Sequence, residues 1–348
     1  MSITPKHVKN LPGSIWGMTT FYNPSGYDNK KKNYDIFRDT SKKQGLKLLC
    51  VELAFGDKKF ELTKNDADIL VQLRTNTVLW HKERLLNTGL ASLPKDCDKI
   101  VWLDADIMFT NNDWLKKTEK LLEKYKVVQP YSFAVRLKKG QIKIPSHDLP
   151  FGNGEGEKIH GIGYGIHNYG KKSIKRYLEH GHTGFVWAAR RDVLDECGFY
   201  DRFILGSGDA LIAQSFYGNM DWHMKKRCSK ALSDDISEYM EKVHNVVGGS
   251  VYYTNGNVCH IWHGKHKNRQ HNHRIEMLKK FKFDPKKDIV VGDNGCWVWA
   301  TDKPNLHKWV KQYFWTRNEE GAFIQETMML FWRLKRKVIS KFISDIAP

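Results

Sequence analysis

The first half of the chain alternates short apolar runs with amphipathic stretches. Apolar and β-branched runs at 15–21, 46–55, 99–103 and 127–128 predict strands. Turn-forming residues follow the first two runs, and a pair of aspartates follows the third. This succession of short runs predicts strands that are separated by helices or loops.

Two amphipathic stretches lie between these runs. Within 78–92, leucines recur at the spacing of one helix face, and Asn112 is placed to cap a helix running through Trp114 and Leu122. Strands that alternate with helices predict an α/β fold with a largely parallel sheet. In such sheets, ligands bind beyond the carboxyl ends of the strands.

The pattern changes in the middle of the chain. Seven glycines fall within 151–170, which predicts a long glycine-rich loop that is either a mobile functional loop or disordered. Regular patterning resumes at Gly184 and includes a strand over 251–262. The stretch 326–343 has the pattern of a helix with one apolar side and basic residues elsewhere.

Composition narrows the class of protein. The 348 residues are 41% hydrophobic and 28% charged, as in a folded globular protein. No apolar run approaches the roughly 18 residues of a membrane span, and no secretory leader is recognisable. The six cysteines are scattered without a CxxC pair, which indicates reduced thiols and a cytoplasmic location.

The net charge of +18 suits an anionic partner, although the charge alone favours a solvated lysine-rich surface. Nucleic acid, an anionic membrane surface and an acidic substrate all fit. The basic helix at 326–343 either packs back on its own domain or holds the protein peripherally at a membrane.

Asp104 and Asp106 are the first candidates for chemistry. Residues two apart on an extended chain point to the same side, so both carboxylates can reach one Mg²⁺ or Mn²⁺ ion shared with substrate phosphates. The Asp-X-Asp tripeptide occurs three times, but only at 104–106 does it end a predicted buried strand.

A histidine-rich segment follows another strand candidate. Five of the fifteen histidines lie between His260 and His273, and imidazole beside carboxylates shifts the metal preference towards Mn²⁺. On a strand, His260 and Trp262 share one face while His263 points the other way, which favours His260 as the ligand. A zinc site that uses Cys259 lacks a second thiolate nearby.

The third candidate segment is Gly206-Ser207-Gly208-Asp209, which leads into a helix predicted over 210–217. Glycines let the backbone approach a ligand closely, and Asp209 stands at the helix N-terminus. Asp209 can act as a general base, or it can simply complement the helix dipole.

The chain resembles the GT-A superfamily of nucleotide-sugar glycosyltransferases in the order of these segments: Asp-X-Asp at 104–106, then the glycine and aspartate segment at 198–209, then the histidine segment that begins at Cys259. The resemblance runs from Ser14 to about Ala300 and is closest to the branch that includes β-1,4-galactosyltransferases and polypeptide GalNAc-transferases. Residues 82–89 are similar to the "RAKLLNxG" helix of that branch, with Lys82 in place of arginine. Residues 206–209 read GSGD instead of GGED and keep only the terminal acid.

The resemblance implies a Rossmann-like mixed sheet flanked by helices. The transferase domain would span 14–300, with a nucleotide-sugar half at about 14–130 and an acceptor half at about 170–300. A basic helical C-terminal extension, 301–348, would follow.

The resemblance also assigns roles to single residues. Asp104 would lie near the ribose and the metal, Asp106 would bind the metal directly, and His260 or His263 would complete the metal site. Asp209 would be the catalytic base. The donor-binding candidates are Thr20, Tyr22, Asn23, Arg74, Lys82 and Asp104. The acceptor-side candidates are Gly206, Ser207, Gly208 and Trp262.

The leading hypothesis is an inverting glycosyltransferase that depends on Mn²⁺ or Mg²⁺. It would move a sugar from a nucleotide-diphosphate donor, with UDP favoured, to a hydroxyl of a glycan or lipid-linked glycan. Retention stays open, since it depends on geometry around Asp209. One alternative is transfer to modified bases of DNA, prompted by the charge and by aromatic residues among basic ones at 297–315. Another is a non-catalytic glycan-binding module on the same fold.

Overall fold

A seven-stranded mixed sheet lies at the centre of the molecule. The structure, a computed structural model, describes residues 8–143, 149–170, 181–218 and 227–330. The strands are β1 (Ser14–Tyr22), β2 (Lys47–Phe55), β3 (Ile69–Thr75), β4 (Cys97–Leu103), β5 (Ile107–Phe109), β6 (Val127–Gln129), β7 (Phe133–Arg136), β8 (Lys158–His160), β9 (Val186–Arg190), β10 (Val251–Tyr253), β11 (Asn257–His260), β12 (Ile289–Val291) and β13 (Trp297–Trp299).

Helices connect and cover these strands. They are α1 (Asp28–Lys43), α2 (Lys82–Leu90), α3 (Trp114–Leu122), α4 (Ile162–Tyr169), α5 (Arg191–Cys197), α6 (Gly208–Ser215), α7 (Lys230–Val247), α8 (His271–Lys280) and α9 (Pro304–Thr316). A short 3₁₀ helix spans His266–Arg269, and residues 323–330 are also helical. None of the described helices is long and apolar enough to cross a bilayer.

The large sheet has the strand order β10-β6-β9-β4-β1-β2-β3. Its neighbouring strands pair in parallel except around β9, which runs antiparallel to both β4 and β6. The predicted α/β fold, a mixed sheet flanked by helices, is confirmed. The β1 and β4 ends lie side by side, so the residues that follow them meet at one edge.

Two apolar cores lie on opposite faces of this sheet. Alternate residues of β2 supply them: Leu49 and Val51 enter one core, whereas Leu48 and Cys50 enter the other. Helices α2, α5, α6, α7 and α9 contribute to the first core, and α1 and α3 contribute to the second. Both faces of the sheet are therefore buried, which is why its strands read as continuous apolar runs.

A second, four-stranded sheet has the order β5-β11-β7-β8. Strand β11 is antiparallel to β5, with Ile107 opposite His260, and it is parallel to β7. The pairing of β5 with β11 brings the residues that follow β4 close to the residues that follow β11, although about 150 residues separate them in sequence. It is the feature of the fold that assembles the site.

The glycine-rich stretch differs from its prediction as a loop, because residues 158–169 form β8 and α4. Ile159, Ile162 and Ile166 are buried there. A Cβ on Gly161 would lie only 2.5 Å from Oε1 of Gln129, so this glycine permits close packing. Glycine content alone could not distinguish such packing from a loop.

Two predicted boundaries also differ. The strand expected over 251–262 is divided into β10 and β11, with Gly256 at φ 138° in the turn between them. Helix α3 begins after Asp113, so Asn112 is not its N-cap.

The C-terminal region packs on the main body as far as it is described. Leu306, Val310, Tyr313 and Phe314 of α9 are buried in the first core. Trp297 is buried as well, with 7% of its surface exposed. Trp297, Tyr313 and Phe314 are therefore core residues and not platforms for stacked bases. The predicted tail helix, 326–343, lies largely outside the described residues. The six cysteines form no disulfide.

Candidate functional site

A cavity of about 550 Å³ opens where β1, β4 and β11 end. Residues after β4, the histidines after β11, and the first turn of α6 line it. The segments 266–274 and 317–319 contribute further charged side chains. This position, beyond the carboxyl ends of the strands, is the one that the α/β fold predicts for a ligand.

Asp106, His260 and His263 form a cluster on the cavity wall. Their ligand atoms all lie within 4.8 Å of one another. Nε2 of His263 is 3.2 Å from a carboxylate oxygen of Asp106 and 2.8 Å from Nε2 of His260. The backbone N–H of Ile261 donates to the carbonyl of Asp106 at 2.8 Å, which extends the β5–β11 pairing to these residues.

Burial and the neighbouring Asp104 raise the pKa of Asp106 to about 7, so a bound cation would be needed to keep this carboxylate fully ionised at neutral pH. Burial and the neighbouring His263 and Arg136 lower the pKa of His260 well below its usual value, and burial and Arg269 do the same for His263. Both imidazoles are therefore neutral and have a lone pair to offer. Oδ1 of Asp106 is buried without a hydrogen-bond partner. One carboxylate and two neutral imidazoles fit Mn²⁺ or a similar transition ion.

Both histidines, and not the favoured His260 alone, lie close enough to Asp106 to share one ion with it. Strand β11 ends at His260, so the strict alternation of a strand does not continue to His263. Trp262 lies outside the cavity lining: its indole N–H donates to Glu155 at 2.9 Å.

Asp104 lines the same cavity and forms an ion pair with Lys82 at the start of α2. Burial lowers the pKa of Lys82, but Asp104 and Glu83 raise it by more, so the ammonium stays charged. Asp104 is absent from the three-residue cluster. The two aspartates of 104–106 thus have different neighbours: a lysine for the first and two histidines for the second.

The remaining donor-side candidates divide into two pairs. Thr20 and Tyr22, at the end of β1, line the cavity. Asn23 lines a small adjoining cavity instead, and its side chain bonds to the backbone of Tyr27 in a local turn. Arg74 is exposed outside the cavity lining, where its guanidinium donates to backbone carbonyls of the loop after β2.

On the acceptor side, Ser207 and Asp209 line the cavity. Asp209 lies in the first turn of α6, and Ser207 precedes that helix with a positive φ of 94°. Gly206 and Gly208 lie behind this wall. A Cβ on Gly208 would be 2.5 Å from Oε1 of Glu83, so only glycine fits between Glu83 and the helix start.

Several charged residues of the cavity were not singled out from the sequence. They are Lys30, Glu83, Arg136, Arg269, Arg274, Arg317 and Glu319. Arg269 and Arg274 directly follow the histidine motif, and this proximity was a usable signal. Arg317 and Glu319 come from the end of α9, and no local pattern marks them.

Gly264 shows how this last segment reaches the cavity. It has a φ of 93°, and a Cβ there would lie 2.7 Å from the carbonyl oxygen of Asn318 and 2.9 Å from Cα of Glu319. The glycine after His263 therefore lets the backbone at 318–319 pass directly beside the histidine motif.

Glu319 is 1% exposed and lies among three cations. Its carboxylate accepts from Nε of Arg317 at 2.5 Å and is 3.5 Å from the ammonium of Lys30. Burial alone would raise the pKa of Glu319, but Lys30, Arg317 and Arg269 lower it to about 2. Glu319 is therefore an anion at neutral pH and holds the basic side chains around it.

No protein-family model matches the chain, and no curated protein has a significantly similar sequence. Solved structures do resemble it. A 4-diphosphocytidyl-2C-methyl-D-erythritol synthase from Anaerococcus prevotii is 13% identical with a TM-score of 0.35, covering 70% of this chain and 87% of its own. S. aureus TarS 1–349 in complex with UDP-GlcNAc is 12% identical with a TM-score of 0.32, covering 78% and 74%.

A third similar structure is the catalytic domain of Drosophila β1,4-galactosyltransferase 7 in complex with xylobiose. It is 12% identical with a TM-score of 0.32, and the match covers 85% of this chain and 98% of that one. At TM-scores this low the similarities carry no weight for activity. The function must be inferred from the side chains of the cavity.

Proposed function

We propose that this protein is a metal-dependent glycosyltransferase that uses a nucleotide-diphosphate sugar. The observation that carries the proposal is the cluster of Asp106, His260 and His263 in one cavity with Asp209 and the end of β1. This combination offers a cation site, a strand end for a nucleotide and a separate carboxylate for proton transfer.

The chain's own residues account for binding of the donor. Asp106, His260 and His263 would hold Mn²⁺ or Mg²⁺, which when bound neutralises charge on a departing diphosphate. Lys30 and Arg269 line the same cavity and add positive charge for phosphate oxygens. Thr20, Tyr22 and Asp104 are the proposed contacts for the nucleoside, with UDP favoured as the nucleotide.

Asp209 is the proposed general base. Its carboxylate would accept the proton of an acceptor hydroxyl as the acceptor oxygen bonds to the anomeric carbon. In the same displacement the bond from that carbon to the diphosphate breaks, and the nucleoside diphosphate leaves with the electron pair. A single displacement of this kind inverts the anomeric configuration, and the proposed acceptor is a hydroxyl of a glycan or lipid-linked glycan.

Nucleotide binding tests this proposal directly. The melting temperature of the intact protein is measured with a panel of nucleoside diphosphates and their sugars, with and without Mn²⁺. We expect stabilisation by one nucleotide that requires Mn²⁺, since a ligand specific for the folded state raises the melting temperature by mass action. Asp106→Asn should abolish that stabilisation, because losing a direct ligand should weaken metal affinity by more than about 100-fold.

Asp96→Asn is the matched control. Asp96 begins another Asp-X-Asp tripeptide but is exposed and remote from the cavity lining, so its variant should respond as the native protein does. Absence of stabilisation by every nucleotide, or an unchanged response in Asp106→Asn, would contradict the proposed function.

A further inference from the structure

Three arginines of the cavity form no close ion pair within the part of the chain that the structure describes, although the charge of Glu319 also acts on Arg269. Arg136, Arg269 and Arg274 line the cavity, and no carboxylate of the described residues lies within 4.0 Å of their guanidinium groups. Lys82 and Arg317, by contrast, each have a carboxylate partner in the same cavity. Of the three, Arg274 is buried, and a buried cation without a counterion is costly, so Arg274 indicates where an anionic ligand supplies the missing charge.

Two of the three arginines lie on the metal side. Arg269 bonds to the ring of His263 at 2.9 Å, and Arg136 approaches His182 at 3.2 Å and stacks over Phe185. Phe185 is in turn in contact with His260. These two arginines are placed to meet a diphosphate beside the metal cluster.

Arg274, on α8, lies elsewhere. It is 5% exposed, its Nη2 donates to Oγ of Ser207 at 2.6 Å, and its Nη1 donates to the hydroxyl of Tyr313 at 2.7 Å. Its Nε is buried and has no hydrogen-bond partner. Ser207 is two residues before Asp209, so the contact with Ser207 places Arg274 at the loop that presents the proposed base.

Arg274 shares the hydroxyl of Tyr313 with a second guanidinium, since Nη1 of Arg317 lies 3.4 Å from the same oxygen. Tyr313 is 2% exposed, and burial alone would raise the pKa of its phenol. Arg274, Arg317 and Arg269 nevertheless lower that pKa below the usual value. Three guanidinium groups thus act on one neutral hydroxyl, and the charge of Glu319 already serves Arg317 and Lys30.

An apolar surface lies beside Arg274. Gly206 has its Cα against the ring of Trp80, which stacks on Phe314. The indole N–H of Trp80 donates to Glu83 at 3.1 Å, which fixes the plane of the ring at the cavity. Phe314 and Arg317 already lie against this ring, so the part of it that lines the cavity is the surface on which a sugar ring can pack.

We infer that the acceptor of this transferase carries an anionic group, a carboxylate or a phosphate, which Arg274 binds beside the hydroxyl that Asp209 deprotonates. The inference rests on the proposed function. A guanidinium matches both anions with paired N–H donors, whereas a neutral sugar would leave Arg274 without a counterion. Acceptor binding would supply that counterion, and Arg274 therefore sets the substrate class.

Calorimetric titration tests this inference on the full chain saturated with Mn²⁺ and with the nucleotide that gives the largest shift in the melting-temperature panel. The probes are a neutral methyl glucoside, the corresponding methyl glucuronoside and glucose 6-phosphate. We expect at least one anionic probe to bind about tenfold or more tightly than the neutral one, as a charge-assisted hydrogen bond provides. The probe that binds better distinguishes a carboxylate from a phosphate acceptor.

Variants of Arg274 identify the group responsible. Arg274→Gln should remove the preference for the anionic probe without changing nucleotide affinity, and Arg274→Lys should retain part of it because the charge remains. Lys280→Gln is the matched control, since it removes one positive charge from an exposed position on the same helix. It should behave as the native protein does.

Three results would overturn the inference: equal binding of neutral and anionic probes, no binding of either anionic probe, or weakened nucleotide binding in Arg274→Gln. The third would assign Arg274 to the diphosphate instead. The same titrations without nucleotide separate the two proposals. If the protein binds no nucleotide, the proposed function is contradicted. If it still prefers the anionic probe and Arg274→Gln abolishes that preference, the anion site is supported independently.

Discussion

The two sides of the cavity are built in different ways. The metal side, defined as Asp106, His260 and His263, is held by backbone hydrogen bonds between β5 and β11. The acceptor side, defined as Ser207, Asp209 and Arg274, lies at helix starts and is held by side-chain contacts such as that of Arg274 with Ser207. Backbone pairing places the metal ligands rigidly and persists when a side chain is replaced. The acceptor side is held by side-chain contacts, and a single substitution removes such a contact.

This difference has a functional meaning under the proposed function. The metal side recognises a part common to nucleotide-sugar donors, a diphosphate with its cation. The acceptor side carries the proton acceptor and the residue that we propose selects the acceptor. Variants of the two sides should therefore separate binding of the donor from chemistry.

The largest effect should come from Asp209→Asn. Loss of a general base lowers the rate of transfer by about 10²–10⁴-fold. Stabilisation by Mn²⁺ and nucleotide should be unchanged, because Asp209 is absent from the metal cluster. Transfer is measured as release of nucleoside diphosphate in the presence of the best acceptor probe, and nucleotide binding as the shift in melting temperature.

Asp195→Asn, at an exposed position of α5, is the control for this variant and should be fully active. If Asp209→Asn loses nucleotide binding together with transfer, the two sides are not separable in the way described. Full transfer activity in Asp209→Asn would exclude it as the base.

The next effect concerns the segment 317–319. Glu319 lies 3.9 Å from His263 of the metal side, and Arg317 donates to Tyr313, which also accepts from Arg274 of the acceptor side. Glu319→Gln leaves Arg317, which is 5% exposed, without its carboxylate, and breaking a buried pair costs about 3–5 kcal/mol. The pKa of Glu319 is about 2 in the folded protein, below its ordinary 4.5. Its contribution to stability is therefore complete above pH 4.5 and is lost as the pH falls through about 2.

Urea unfolding at several pH values measures this difference. Glu326→Gln is the control, since Glu326 pairs with a partly exposed Lys265 and such pairs contribute less than about 1 kcal/mol. Equal losses of stability in the two variants, or a loss in Glu319→Gln that persists unchanged at low pH, would show that Glu319 does not hold this segment through its charge.

The metal side was largely predictable from the sequence, and the reason is physical. Strands β1, β2 and β4 are buried on both faces and appear as continuous apolar runs, so the polar residues that follow β4 and β11 stand out. The preference for His260 over His263 as the metal ligand depended on where β11 ends. Its end at His260 follows from pairing with β5 and β7, which no local pattern reveals.

Of the three residues of the acceptor side, the sequence predicted Ser207 and Asp209, which belong to the segment 206–209, but not Arg274. Arg274 and Arg317 have the local pattern of solvated basic residues, and only packing against Ser207, Tyr313 and Glu319 buries them. The stretch 158–169 shows the same limit, since its glycines fit against Gln129 and do not form a loop. In both examples, contacts between segments that are distant in sequence determine the structure, and a local pattern does not show them.

The smallest effect tests whether Asp209 is the relevant carboxylate. Glu83 is 4% exposed, lies against Gly208, and burial followed by the charge of Asp209 raises its pKa to about 7. Between pH 4.5 and about 7 the folded state keeps this proton while the unfolded chain releases it. The free energy of unfolding should therefore fall as the pH rises through this window, by up to about 3 kcal/mol.

Glu83→Gln should remove that pH dependence, whereas Glu241→Gln, at an exposed position of α7, should retain it. Urea unfolding at pH 5 and at pH 8 measures the change, because these values lie near the pKa of Glu83 in the unfolded chain and above its pKa in the folded protein. Glu83 accepts a hydrogen bond from the indole of Trp80 and packs against Gly208, whereas Asp209 is the proposed base, so transfer should survive in Glu83→Gln. If instead Glu83→Gln loses transfer and Asp209→Asn retains it, proton transfer belongs to α2, and the acceptor side must be redrawn around Glu83.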